Sequence, residues 1–277
     1  MAYIEYTLRD AEVCPVPILA FLDSPTLQAA LTPLPHPLKG ERVILHAPHF
    51  PTPLDALRLV ADVQPIMMIV AITPALDLSR GGWLSALRSD PATRRLPMIA
   101  IGEGAAAEDA ARAFYLPLIA SDAFLANTAA IITHHLTPPR REGLAEMCKE
   151  MPPPLVLQGL RAFRAGQYYE AHEMLEAAWK AETRPVRDLY RAVLQVGVTY
   201  YQIERGNYEG ALKLFLRVRQ WLDPLPERCQ GIDVATLRID AAAAHAHLDS
   251  LGAAGIAAFD KRLLKPVLFH DSEENHE

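Results

Sequence analysis

The stretch that decides the fold is Ile66-Met-Met-Ile-Val-Ala-Ile72, a continuous apolar run. A strand reads in this way when both of its faces are buried, as in parallel sheets that helices cover on both sides. Four further short apolar runs lie on either side of it in the chain: Ile18 to Leu22, Arg42 to His46, Pro97 to Ile101 and Leu118 to Ala120. We therefore predict a five-stranded parallel sheet in which residues 66–72 form a central strand.

Helical patterns alternate with these runs. They are Thr26 to Leu34, Pro53 to Gln64, Gly82 to Ser89, Ala105 to Tyr115 and Ala123 to His135. Strands that alternate with helices predict a doubly wound α/β domain. We place this domain at residues 1–137 and a linker at 138–154, because the linker ends in Pro152-Pro-Pro154 and proline cannot continue a helix.

The second half of the chain is predicted to be all-α. Five long helical patterns follow the linker: Leu155 to Arg164, Tyr168 to Glu182, Val186 to Arg205, Tyr208 to Trp221 and Val234 to Leu251. Gly166-Gln-Tyr168-x-x-Ala171-x-x-x-Leu175 recurs about 40 residues later as Gly206-Asn-Tyr208-x-x-Ala211-x-x-x-Phe215, which is typical of tetratricopeptide-like hairpins. Two repeats are too few for a solenoid, so we predict a compact bundle of about five helices at 155–268 and an acidic tail at 269–277.

Composition limits the partners and the compartment. The chain has 277 residues and a net charge of -6, which disfavours nucleic acid and membrane lipid as partners. Cys14, Cys148 and Cys229 lie far apart without a CxxC pair, which argues against a disulfide framework and against a cysteine-rich zinc site. No apolar run approaches the roughly 20 residues of a membrane span. We therefore expect a cytoplasmic protein in a reducing environment.

Two segments of the first domain stand out: Ile18-Leu-Ala-Phe-Leu-Asp-Ser-Pro25 and Ser89-Asp-Pro-Ala-Thr-Arg-Arg-Leu-Pro-Met-Ile99. Through them the domain resembles the response-regulator receiver family, the CheY-like fold. Receivers of this family hold Mg²⁺ with two acids after the first strand and phosphorylate an aspartate at the end of the third. They read the phosphorylated state with a hydroxyl and a lysine.

Most of the chemistry that this resemblance implies is missing here. Asp23 is the single acid left of the first pair, Ala71-Ile72-Thr73 stands where the phosphoacceptor should be, and Gly102 occupies the hydroxyl position. No lysine occurs between Lys39 and Lys149. We therefore predict a pseudo-receiver without a phosphoacceptor.

Two roles remain open for this domain. It is either a platform for a protein partner or for self-association, or a spacer that keeps only the fold. Asp77, a few residues past the third strand, is interpreted as a loop acid rather than as a displaced phosphoacceptor, because the Mg²⁺ ligands and the lysine are absent.

The candidate site lies on the predicted helix from Tyr168 to Glu182. Tyr169, His172, Glu176 and Trp179 share one face of it, beside an apolar stripe that should pack inward. A His/Glu pair at i, i+4 can present an imidazole nitrogen and a carboxylate to one divalent metal ion. The alternative is a hydrogen-bonded pair that holds two helices together, with Trp179 in the core and with one of three arginines completing it, Arg187, Arg191 or Arg205.

A second family resemblance covers this region. Phe163-x-x-Gly166-x-Tyr168-Tyr-Glu-Ala-His172-Glu-x-Leu-Glu176-x-x-Trp179 looks like the domain of unknown function family 309, whose signature is HxxxExxW, and later segments agree up to about Leu251. The resemblance implies that His172, Glu176 and Trp179 are site residues, with metal binding proposed for the family and no reaction known. Where relatives often have a histidine before Arg-Gly-Asn, this chain has Tyr201-Gln202, so an obvious third strong metal ligand is missing.

Polar residues on the next helix are the expected companions of the pair. Asp188, Gln195, Thr199 and Gln202 form a stripe there, and buried polar groups need partners, which His172 and Glu176 would supply. The remaining candidates for the pocket or for alternative ligands are Tyr169, Glu173, Asp188, Gln195 and Arg205. His245 and His247 are interpreted as surface or packing residues.

Two functions follow from the sequence. In the first, the helical domain holds a divalent metal ion or a small ligand at His172, Glu176 and Trp179. In the second, both domains are non-enzymatic signalling adaptors and the His-Glu pair is structural. No Gly-rich phosphate loop and no Gly-x-Ser-x-Gly motif occurs, so the sequence predicts no reaction. The observation that separates the two functions is whether the pair is accessible or sealed between helices.

Overall fold

A computed structural model of the chain describes residues 4–5, 17–32, 42–73, 76, 78–79, 81–136 and 142–270. The chain forms two compact units, Met1–Pro139 and Arg140–Glu277. The first unit is α/β and the second consists mainly of helices, so the predicted order of the two fold classes is confirmed. The predicted linker at 138–154 spans the division between the units.

The described part of the first unit contains six strands and five helices. The strands are β1 (Ile4–Glu5), β2 (Pro17–Phe21), β3 (Arg42–His46), β4 (Met67–Ala71), β5 (Met98–Ile101) and β6 (Leu118–Ile119). The helices are α1 (Pro25–Ala30), α2 (Pro53–Val63), α3 (Trp83–Ser89), α4 (Ala105–Phe114) and α5 (Ser121–His135).

The sheet has the strand order β1-β3-β2-β4-β5-β6. Strands β2 to β6 are parallel, whereas β1 runs antiparallel to β3, with Ile4 opposite Leu45. Without β1, the five parallel strands follow the order 2-1-3-4-5, which is a doubly wound order found in receiver-like folds. The five predicted strands are confirmed, and β1 is an edge strand that the sequence did not predict.

Strand β4 lies inside the sheet with both faces buried, as its composition predicts. Its residues Met67 to Val70 have no exposed surface. On one face, Ile69 belongs to an apolar cluster with Phe124 of α5, and on the other, Val70 belongs to a second cluster with Trp83 of α3. Helices therefore cover both faces of the sheet.

The second unit contains the five predicted long helices and several short elements. The long helices are α7 (Pro154–Arg164), α8 (Tyr168–Ala181), α9 (Arg187–Glu204), α10 (Tyr208–Leu222) and α11 (Val234–Gly255). The short elements are α6 (Leu144–Met147), the hairpin strands β7 (Arg228–Cys229) and β8 (Ile232–Asp233), and two 3₁₀ helices, Ile256–Ala258 and Lys261–Leu263. The described residues thus form more helices than the sequence predicts.

Each repeat turns at its glycine. Gly166 follows α7 with φ +75° and Gly206 follows α9 with φ +69°, a left-handed conformation that glycine adopts without a steric penalty. In both turns the glycine N–H donates to the carbonyl three residues back and the next N–H to the carbonyl five back. This pair of bonds is the Schellman motif. Each of the two glycines therefore ends one helix and lets the chain turn into the next.

One prediction from the cysteines is wrong. Cys148, directly after α6, and Cys229, in β7, form a disulfide although 81 residues separate them in the chain. Spacing along a chain does not measure distance in the fold, and the β7–β8 hairpin brings Cys229 back to the start of the helical unit. Cys14 lies outside the described residues. Among the described helices, none is both long and apolar enough to cross a membrane.

Candidate functional site

Helix α8 separates an inward stripe from a face that meets solvent. Tyr168, Ala171, Leu175 and Ala178 are buried, as predicted for the apolar stripe. On the neighbouring face, His172, Glu176 and Trp179 are half-buried and Tyr169 is 54% exposed. The three residues of the proposed site therefore lie at the edge of the core rather than inside it.

Two contacts fix how α8 lies against α9. The rings of Tyr169 and Tyr201 are 6.2 Å apart at one end, and the guanidinium carbon of Arg191 lies 4.9 Å from the centre of the Trp179 ring at the other. Because each step forward along α8 is a step back along α9, this antiparallel register puts His172 level with Val198. It puts Glu176 level with Leu194. The residues of α9 nearest in register to the pair are therefore aliphatic.

Glu176 forms its contacts within its own helix. Its Oε2 lies 2.9 Å from Nζ of Lys180, and its side chain is 37% exposed. The hydrogen bond from Lys180 lowers the pKa of Glu176, partial burial opposes this, and the charges of Lys180 and His172 add to the lowering. In the described part of the chain, the partners of this carboxylate are thus residues of α8.

An arginine joins two tryptophans at one end of this face. The guanidinium of Arg191 lies 4.9 Å from the Trp179 ring and 3.9 Å from the Trp221 ring, and Arg187 lies 5.1 Å from the Trp179 ring. The indole Nε1 atoms of Trp179 and Trp221 are buried and have no hydrogen-bond partner among the described residues. Helices α8, α9 and α10 therefore meet in a cation–π stack.

The other arginine candidate lies at the opposite end. Arg205 donates from Nη1 to the hydroxyl of Tyr201 over 3.0 Å and lies over the ring of the same residue. Its nearest aromatic contacts are therefore with the Tyr169–Tyr201 end of the face. A hydrogen bond to Glu173 raises the pKa of the Tyr169 hydroxyl, so Glu173 also interacts along α8.

Several residues of the polar stripe of α9 have hydrogen-bond partners other than His172 and Glu176. Thr199 is fully buried and donates to the backbone carbonyl of Gln195, one turn back in α9. Gln202 accepts from the side chain of Asn207 over 2.8 Å. Gln195 is buried, and its Oε1 has no partner among the described residues. Asp188 lies half-buried in the first turn of α9. The expectation that His172 and Glu176 satisfy this stripe is wrong for Thr199 and Gln202.

This face of α8 offers two potential metal ligands, His172 and Glu176. In the described ranges, no three side chains among His, Cys, Asp and Glu come together as a metal site. His245 stacks on Phe215, and His247 accepts from the backbone N–H of Asp260 over 3.2 Å. Both histidines therefore have the packing roles that the sequence predicts. A metal ion at His172 and Glu176 would take its other ligands from water or from a bound molecule.

Among the described residues, no carboxylate follows β4 directly, which is the place where receivers carry their phosphoacceptor. Strand β4 ends at Ala71, followed by Ile72 and Thr73, while Asp77 lies outside the described residues. An aromatic cluster stands at the same end of the sheet: Trp83 lies 4.8 Å from Phe21 and 5.2 Å from Phe50 between ring centres. The Thr73 hydroxyl and the Trp83 indole N–H are buried without a partner in the described part of the chain.

Sequence reasoning missed two features of the helical unit. One is the contact of Arg191 with Trp221, because the sequence pattern of one helix does not reveal which residue of α10 lies beside it. The other is the disulfide. The presence of two cysteines, Cys148 and Cys229, in the same unit was the feature of the sequence that could have indicated it. Both features lie outside the HxxxExxW spacing that pointed to the site.

Comparison with known proteins finds a family model that matches part of the helical unit. No curated protein matches the chain. The matching family model covers residues 156–214, which include most of α7, all of α8 and α9, and the first half of α10. His172, Glu176 and Trp179 all fall within the match. The resemblance seen in the sequence is confirmed for this segment: residues 156–214 match the family described as Domain of unknown function (DUF309).

Proposed function

We propose that the helical unit is a ligand-binding module in which His172 and Glu176 make the polar contacts and Trp179 forms an aromatic wall. The observation that carries this proposal is the accessibility of the pair. The Glu176 side chain is 37% exposed and pairs with Lys180 of its own helix. A pair that held α8 to α9 would be bonded across the interface and sealed from water.

The surroundings of the pair favour a small ligand with a polar group and an apolar part. Leu194 and Val198 are half-buried and lie level with the pair in register, so they offer apolar surface beside an imidazole and a carboxylate. Binding sites commonly combine a mostly apolar lining with a few placed polar groups. A divalent ion is a weaker candidate by itself, because two protein donors are fewer than the three of an open zinc site.

The proposal is tested by a binding screen followed by NMR. The probes are Zn²⁺, Mn²⁺ and a set of small amines and carboxylic acids, and the signals are the His172 imidazole and the Trp179 indole. We expect at least one probe to shift both signals in the wild-type protein. The same probe should leave the Trp179 signal unmoved in His172→Leu and both signals unmoved in Glu176→Leu. The matched control is Glu209→Gln, which removes the carboxylate of a similar i, i+4 pair with Lys213 on α10.

Two results would overturn the proposal. One is a screen in which every probe leaves the His172 and Trp179 signals unchanged. The other is a probe that binds equally well to the wild-type protein and to both leucine variants. In either case the adaptor function, with a structural His-Glu pair, becomes the better account of the helical unit.

For the first unit we propose a role as a platform for a protein partner or for self-association. It keeps the strand order of a receiver and has Ala71 where a phosphoacceptor would stand. The test is to treat the protein with a small phosphodonor such as acetyl phosphate and to measure its mass and oligomeric state. We expect no change in either, and a phosphorylated acid in the first unit would contradict the proposal.

A further inference from the structure

We propose that the Cys148–Cys229 disulfide is a redox-responsive bond, opened by a dithiol reductant, that controls the order of the α8–α9 turn. This turn lies beside the ligand face, by which we mean the face of α8 that carries His172, Glu176 and Trp179. The part of this inference that concerns the bond stands on the geometry around the two cysteines. The part that concerns ligand binding rests on the proposed function. The two parts are tested separately below.

The bond attaches a weakly held segment to a buried hairpin. Helix α6 has four residues, none of them buried, and Cys148 directly after it is half-buried. Cys229 in β7 has no exposed surface. Segment 142–150 therefore has little apolar burial of its own, and the covalent bond is a main link between it and the bundle.

Gln230 connects this bond to α9. Its backbone N–H donates to the carbonyl of Cys148 over 2.6 Å, and its Oε1 accepts from the Tyr190 hydroxyl over 2.8 Å. The residue is 1% exposed and has φ +48°, a conformation that a non-glycine residue keeps only where its surroundings hold it. A displacement of Cys148 would therefore disturb the hydrogen bonds of Gln230, including the one with Tyr190, which is next to Arg191 in the chain.

A second link runs from the same segment to the α8–α9 turn. Glu150 lies 3.0 Å from Nη1 of Arg184, and Arg184 also pairs with Glu182 over 2.8 Å. These contacts hold the turn that precedes Arg187, whose guanidinium lies over the Trp179 ring. The segment thus contacts the helical bundle at two places next to the Trp179 end of the ligand face.

The reaction is an ordinary thiol–disulfide exchange. A thiolate of the dithiol attacks Sγ of Cys148, the more accessible sulfur, and the Cys229 thiolate leaves and takes a proton from water. The second thiol of the reductant then attacks its own sulfur in the mixed disulfide and releases the Cys148 thiolate, which is also protonated. Two electrons pass from the dithiol, which ends as a disulfide, to the two protein thiols.

The test of the bond uses the full chain with Cys14→Ala, so that thiol counts report on the pair. We expect no free thiol before treatment with dithiothreitol and two after it. In hydrogen exchange, reduction should speed the amides of residues 144–150, of the α8–α9 turn at 182–186 and of residues 228–233 at least tenfold, and should leave the strands β4 and β5 unchanged. Cys148→Ser with Cys229→Ser is the matched variant, and it should resemble the reduced protein in either buffer.

Two results would overturn the inference about the bond. One is a pair of free thiols in protein purified without reductant. The other is equal exchange at residues 144–150 in the oxidised and reduced protein, which would mean that the disulfide does not hold the segment.

The link to ligand binding has its own readout. A probe that shifts the Trp179 signal should bind several-fold more weakly to the reduced protein and to the double serine variant. Equal binding in both redox states would refute this link and leave the bond and the ligand site standing. If no probe binds in either state, the proposed function fails, whereas the exchange data still decide whether the bond holds the segment.

Discussion

The two helical hairpins of the second unit, α7–α8 and α9–α10, share a turn and differ in one face. Both turns have a left-handed glycine with the same two backbone hydrogen bonds. With Gly166 aligned to Gly206, the positions of His172 and Glu176 are taken by Leu212 and Leu216.

The two leucines are more deeply buried than His172 and Glu176. Leu212 is 2% exposed and Leu216 is 8% exposed, whereas the Glu176 side chain is 37% exposed and His172 is half-buried. Burying a leucine contributes about 1.5 to 3 kcal/mol, so the first hairpin gives up stability at two positions where its twin gains it. Proteins often carry such a loss at functional sites. The comparison therefore supports a role for the pair beyond packing.

The largest expected effect comes from exchanging one residue between the hairpins. Leu216→Glu puts a carboxylate into a buried position without a partner and should lower the free energy of unfolding by about 3 to 5 kcal/mol. The reverse change, Glu176→Leu, should leave it unchanged or raise it by about 1 kcal/mol. Urea unfolding at pH 7 measures both. A large loss of stability in Glu176→Leu would mean that Glu176, like Leu216 in the second hairpin, has a structural role.

A smaller effect is expected where α7 approaches α8. A Cβ added at Gly159 would lie 2.8 Å from Cγ of Leu175, so Gly159→Ala forces the helices apart or moves the leucine. We expect a loss of about 1 to 3 kcal/mol in urea unfolding. The equivalent position in α9 is Thr199, so the second hairpin already holds a side chain at this place. An unchanged midpoint for Gly159→Ala would show that the α7–α8 contact is loose.

The shared turn predicts equal effects at the two glycines. Gly166→Ala and Gly206→Ala both place a Cβ on a residue with positive φ, and neither Cβ would meet another atom within 4 Å. The cost is therefore the backbone strain alone, about 1 to 2 kcal/mol at each site. Thermal unfolding of the two variants side by side measures it. Effects that differ by more than the error of the measurement would break the equivalence of the turns.

The smallest effect concerns the pH dependence of the first hairpin. Lys180 lowers the pKa of Glu176 below its ordinary value of 4.5. A lowered pKa contributes stability that is present above the ordinary value and is lost as the pH falls through the lowered one. Since the side chain is 37% exposed, solvent screens the pair and we expect about 0.3 kcal/mol.

Glu176→Gln should therefore be less stable than the wild-type protein by that amount at pH 7 and equal to it at pH 3. Glu209→Gln, in the second hairpin, shows how much any surface ion pair on these helices contributes. A difference between Glu176→Gln and the wild-type protein that persists at pH 3 would exclude the charge of Glu176 as its cause.

Most of the fold could be predicted because the signals are local. The apolar run around Ile69 reflects burial on both faces of one strand, and each helix end at Gly166 or Gly206 reflects the conformation of one residue. The parallel order of the strands follows from their alternation with helices. Strand β1 could not be predicted in this way, because two residues that pair with β3 carry no pattern of their own.

The surroundings of the candidate site could be predicted only in part. Helical spacing places His172, Glu176 and Trp179 on one face, since spacing within a helix is a property of the sequence. The surroundings depend on the register between helices, which the sequence does not contain. Arg191 therefore lies between two indoles rather than beside the His-Glu pair. Cys148 and Cys229 form a disulfide although four helices separate them in the chain.

The outermost strands of the sheet, β1 and β6, are each two residues long. An open sheet invites another chain to extend it when its edge offers a long row of unpaired backbone groups. Here β1 occupies one side of β3 and runs against it, and β6 is too brief to act as a template on the other side. Growth of fibrils or exchange of strands by edge-to-edge pairing is therefore disfavoured along the described edges of this sheet.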